Sequence, residues 1–212
     1  MGFELSAVTE RIPRSYRRRL FEACNEHAMV FIVINLFLYG SLTKPLFGGL
    51  FIGGVLIHEA GHYVAQRYYG YNPKLYVFPL LGAGVGEPYN DDENEDLHTA
   101  GRRDIFLAGP AASLSVSAIS SVVFLATGMY ALLTFAIVLA FNDLFNLLPF
   151  SDMDGGRTDD VRQTLWKQED RVESALTGMA HTLLVAGNVA IIAALLLTQR
   201  VSLHDVMRGL VS

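Results

Sequence analysis

The residues best suited to chemistry are His58, Glu59 and His62, in the run His58-Glu59-Ala60-Gly61-His62. On a helix, positions i and i+4 lie on one face, so both imidazoles can reach one metal ion. The glutamate beside the first histidine can take a proton from a water at that metal. Chance alone places this pattern in about one chain in 100 of this composition. The run lies inside an apolar stretch, where insertion scales put a central charge near about +3 kcal/mol. Three such groups within five residues need compensation, and a bound dication supplies it. The plainer alternative is a polar helix end at a membrane surface.

Positioning these groups falls to apolar blocks. Hydrophobic residues make up 51% of the 212 residues and charged ones 17%, against about 25% charged in a soluble domain. Mean hydropathy is +0.33. Five stretches approach the length of a bilayer span, which takes about 20 residues: residues 28–43, 46–66, 105–127, 129–150 and 179–198. The third and fourth meet near Gly128, which demands a tight antiparallel hairpin. The basic flank of the first stretch resembles a signal peptide, but Lys44 and Pro45 follow it rather than a small-residue cleavage site, so a retained helix is expected.

The expected fold is an all-α polytopic membrane protein. About five transmembrane helices surround a three-helix catalytic core, with a small β-like segment at the membrane surface. Residues 1–27 form a cytoplasmic basic segment, 28–198 the membrane domain with its core at about 46–158, and 199–212 a C-terminal tail. Arg11, Arg14, Arg17, Arg18 and Arg19 precede the first stretch, so the positive-inside rule puts the N-terminus in the cytoplasm. The loops 67–104 and 151–174 then lie inside too. Arg200 and Arg208 fall outside on this count, a conflict that a re-entrant fifth stretch would remove.

A catalytic zinc site has three protein ligands and an open position for water, so two histidines need a third partner. The fourth stretch runs inward and ends in Asn142-Asp143-Leu144-Phe145-Asn146-Leu147-Leu148-Pro149-Phe150-Ser151-Asp152-Met153-Asp154-Gly155-Gly156. Its carboxylates arrive at the depth of the histidines. Asp154 is the best candidate, because two following glycines permit close backbone approach. Asp152 and Asp143 compete with it. Asn146 by itself reads equally well as a helix–helix hydrogen-bonding residue.

The surface segments are less specific. The run 75–81, with Gly82, Gly84 and Gly86 after it, suggests short strands; it is the candidate edge onto which an extended substrate could add. The acidic run 91–96 reads as a solvated loop. Residues 158–176 read as a surface helix with Thr158, Asp159 or Asp160 as N-cap. His27, His98, His181 and His204 lack partners at ligand spacing and read as surface or packing residues. Gly48, Gly49, Gly53 and Gly54 suggest close helix packing. Tyr68, Tyr69, Tyr71 and Tyr76 suggest an interfacial belt.

Two segments together resemble the site-2 protease family of intramembrane zinc metalloproteases. That family's pattern is H-E-x-x-H followed by N-x-x-P-x-x-x-x-D-G, and Asn146, Pro149, Asp154 and Gly155 fill the second part at its spacing. Met153 stands where the family usually has leucine. Ala108-Gly109-Pro110-Ala111-Ala112-Ser113 resembles the Gly-Pro motif of the helix between them, although Gly109 and Pro110 read as packing residues. The resemblance covers about residues 46–158. It implies that His58, His62 and Asp154 bind one Zn2+ and that Glu59 is the general base. It implies that Asn146 holds substrate backbone or helps stabilise the oxyanion, a role suited to an amide donor. The substrate implied is a transmembrane protein, cut in or near its span to release a regulatory fragment.

Composition excludes other classes. Sixteen basic against 21 acidic residues give a net charge of −5, opposite to the basic excess of a nucleic-acid binder. Cys24 is the only cysteine, so no disulfide framework exists. Two other classes compete with a protease. A non-catalytic scaffold of the same fold would have no use for Glu59. A transporter would carry inverted repeats with broken helices, and none is apparent. The partners expected are the bilayer and the transmembrane substrate, with oligomeric state open.

Overall fold

A computed structural model describes residues 28–42, 45–78, 82–86, 99–150 and 153–197. Cys24, His27, His98, Asp152, His204, the acidic run and both terminal segments lie outside these residues. The described chain is six helices and one hairpin: α1 (Ala28–Leu42), α2 (Pro45–Tyr68), β1 (Lys74–Phe78), β2 (Gly82–Gly86), α3 (Thr99–Thr127), α4 (Tyr130–Asn146), α5 (Asp154–Lys167) and α6 (Arg171–Leu197). Two helical segments, Gly101–Thr127 and Arg171–Leu197, are long and apolar enough to cross a membrane. Ala28–Phe37 and Tyr130–Asn146 are shorter apolar segments.

α2, α3 and α4 pack on one another in a core, with α1 against α2 and α6 against α3 and α4. Small residues allow this closeness. Ser113 and Ser117 on α3 are fully buried, and the Ser117 hydroxyl donates to the Ala136 carbonyl of α4 at 2.8 Å. Gly128 joins α3 to α4 with φ of 73°, a left-handed conformation that glycine adopts freely. Beside this turn Phe124, Leu133, Ala136, Ile137 and Leu195 form an apolar cluster. It lies about 22 Å along α3 from Gly109, at 1.5 Å per residue.

The hairpin is antiparallel, with Leu75 opposite Val85 and Tyr76 opposite Gly84. β1 packs on α1 and β2 on α2. Gln66 of α2 donates its side-chain amide to the Val85 carbonyl at 3.3 Å.

Several element bounds differ from the sequence reading. α4 stops at Asn146, short of the expected 150, because Pro149 disfavours helix in the residue before it and cannot donate to a helical ladder. The surface helix expected at 158–176 is two elements. α5 ends at Lys167, Glu169 takes a positive φ of 64°, and Arg171 already opens α6. The N-cap is Met153, with no side-chain cap bond, rather than Thr158, Asp159 or Asp160. Of the tyrosines, Tyr68 is highly exposed but Tyr76 is buried against the bundle, so they form no single belt. Of the four glycines expected to pack closely, Gly49 and Gly53 face open space, whereas Gly48 and Gly54 are buried and a Cβ on Gly54 would come within 3.2 Å of Leu139 on α4.

Candidate metal centre

α2 carries His58 and His62 one turn apart on its buried face. The α4–α5 turn brings Asp154 against them. His58 Nε2 lies 2.9 Å from Asp154 Oδ2, His62 Nε2 lies 3.2 Å from the same oxygen, and the two Nε2 atoms are 3.2 Å apart. These three residues form a group able to hold a metal ion.

The other ring nitrogens settle what the inward atoms are. His58 Nδ1 faces Asp143 Oδ1 at 3.2 Å, and His62 Nδ1 faces the Ile105 carbonyl of α3 at 2.7 Å. Both acceptors draw the ring protons outward, which turns the Nε2 lone pairs toward each other and toward a carboxylate. Three converging acceptors repel unless a proton or a cation lies among them. Ligand atoms on a tetrahedral zinc sit about 3.3 Å apart, given bonds of about 2.0–2.1 Å. Spacings of 2.9–3.2 Å and an N, N, O donor set therefore fit zinc.

Two close approaches make this geometry possible. The His62 ring packs directly on Gly109 of α3, where a Cβ would strike its Nε2, Cε1 and Cδ2 atoms. Immediately before His62 on α2, Gly61 lies against the Ala108 carbonyl, with no room for a Cβ. Gly109 was expected to shape packing, and it does so as the floor beneath the His62 ring. Pro110 beside it is fully buried. On the other flank, the His181 ring of α6 lies 3.0 Å from the Leu147 carbonyl. Gly155 packs against the same carbonyl. These contacts pin the turn that presents Asp154, and they bear out the reading of His181 as a packing histidine.

Glu59 is buried beside the three donors, and its carboxylate faces the backbone N–H of Val85 on β2. The strand at the glutamate is therefore β2, whereas the run singled out in sequence corresponds to β1. Asn146 reaches the cluster with its amide Nδ2 3.4 Å from His58 Nε2. Of the competing carboxylates, Asp143 lies on the Nδ1 side of His58, away from the converging donors. Ile105 and Val85 touch the site through backbone groups that no sequence pattern announces, and Ser113, the last residue of the Gly-Pro segment, through its hydroxyl.

Comparison of the chain with family models, with curated proteins and with solved structures gives no match in any of the three.

Proposed function

We propose that the protein is an intramembrane zinc endopeptidase that hydrolyses a peptide bond in or near a transmembrane segment of a membrane protein. One observation carries the reading: His58, His62 and Asp154 converge at metal-ligand spacing with Glu59 buried beside them. The motif resemblance to site-2 proteases agrees with it, as do the two helices long and apolar enough to cross a membrane. On this reading α1, α2 and α4 also span the bilayer beside α3 and α6. The arginine distribution then puts the site toward the cytoplasmic face, where water reaches it.

His58, His62 and Asp154 would hold the zinc ion, which would lower the pKa of water and polarise the scissile carbonyl. Glu59 takes the proton from the attacking water and returns it to the leaving amine. The Asn146 amide donates a hydrogen bond to the oxyanion as it develops. A helical substrate hides its carbonyls in its own ladder, so it must unwind first. The hairpin offers it strand pairing, and β2 is the strand that leads to Glu59. An intact buried glutamate beside the metal donors argues against a bare scaffold.

The test is zinc per chain in detergent-purified protein. Wild type and Glu59→Gln are expected to hold about one zinc, and His58→Ala and Asp154→Ala little. Co-expression with tagged single-span membrane proteins should then yield a fragment shortened across its span with wild type and not with Glu59→Gln. Wild type without zinc, or a fragment that persists with Glu59→Gln, overturns the reading.

A further inference from the structure

Asp143 is a carboxylate with no exposure at all, on an apolar helix, one turn before Asn146. Taking a carboxylate out of water is costly unless a partner compensates it. Such a residue therefore points to its partner. Its Oδ1 lies 3.2 Å from His58 Nδ1. The Ser113 hydroxyl of α3 stands 3.4 Å from the same nitrogen. Ser113 and Asn188 of α6 also lie against the carboxylate, yet Oδ2 makes no hydrogen bond of good geometry among the described residues. Its contact of good geometry is the one to the outer nitrogen of His58.

We infer that Asp143 is the positioning residue of the centre: by accepting the Nδ1 proton it fixes the tautomer of His58 and aims Nε2 at the metal. The inference rests on the zinc reading and deepens it. A carboxylate behind a ligand imidazole makes the ring a stronger donor, and losing such a partner typically costs 10–100-fold in metal affinity. His62 has only the neutral Ile105 carbonyl in the same place, so the two histidines are unequal ligands, with His58 the stronger.

The role predicts unequal responses in two measurements. In Asp143→Leu, zinc affinity from chelator competition should fall about 10–100-fold. The melting temperature of the zinc-free protein should change little by comparison, because the variant removes the buried carboxylate itself and leaves only the neutral His58 Nδ1–H without its partner. Asp143→Asn still offers an oxygen to Nδ1–H and should keep affinity within about tenfold of wild type. With cobalt(II) in place of zinc, the visible bands should shift in the leucine variant and return toward wild type in the asparagine variant. If the leucine variant does not accumulate, Asp143→Ser takes its place in every assay.

Affinity in Asp143→Leu within threefold of wild type overturns the inference and leaves the zinc reading standing. So does a parallel loss of affinity and zinc-free stability in the leucine and asparagine variants, which marks a structural role. Wild type without zinc overturns the zinc reading itself, and this inference with it.

Discussion

Helices α3 and α6 look alike in sequence, each with a 27-residue segment long and apolar enough for a membrane. Their surroundings differ. In its most apolar window α3 is 44% buried and α6 only 11%. α3 lies against α2 and α4, presents Gly109 to the His62 ring and buries Ser113 and Ser117. α6 leaves Met179, Leu183, Val189 and Leu197 exposed and buries few residues, among them Thr177 and Asn188. Hydropathy thus reports that a helix can sit in lipid; small residues facing a neighbour report that it builds a site.

The largest contrast should appear in zinc content. His58→Ala or Asp154→Ala should remove most of the bound zinc, while Leu183→Ala on the open face of α6 should leave zinc and melting temperature unchanged. Equal loss from both would erase the distinction between the two helices.

Glycines sharpen it further. Gly109→Ala drives a Cβ into the His62 ring and should weaken zinc affinity by at least about tenfold. Overpacking of this kind costs about 1–3 kcal/mol. Gly61→Ala meets the Ala108 carbonyl, which is backbone and cannot swing aside, so its main effect should be a lower melting temperature. On α6, Gly187→Ala meets only the end of the flexible Leu114 side chain, and its cost should stay below about 1 kcal/mol. Gly53→Ala meets nothing within 4 Å and should stabilise by up to about 1 kcal/mol, the helix-propensity difference. A calorimetric series in that order checks the ranking; a large loss from Gly187→Ala would place α6 in the core.

The smallest effect lies at the exposed end of the α2–α3 contact. The Tyr69 hydroxyl donates to Asp104 Oδ2. That bond, with burial and the Asp104 charge, pushes the phenol up from 10 to about 12. A raised folded pKa means the contribution is complete below pH 10 and is lost as pH rises through about 12. Ultraviolet titration should show one phenolate forming near pH 12 in wild type and missing in Tyr69→Phe.

Sequence by itself determined the pairing of His58 with His62, because a helix puts i and i+4 on one face whatever packs around it. It marked Asp154 through a motif spacing, placed five of the six helices approximately through apolar runs, and read α5 only as part of a surface helix at 158–176. It left Asp143 as a rival ligand, because residue type shows a carboxylate but not which nitrogen it faces. Of the expected packing glycines, Gly54 meets Leu139 of α4 but Gly49 and Gly53 meet nothing, while the tightest contacts fall to Gly61 and Gly109. The break at residues 168–170 stayed hidden because no proline or glycine marks it, and Glu169 takes the left-handed conformation itself. Only tertiary structure decided these points. Which atoms meet across α2, α3 and α4 depends on how three helices turn and slide against each other, and long-range packing fixes that where local spacing does not.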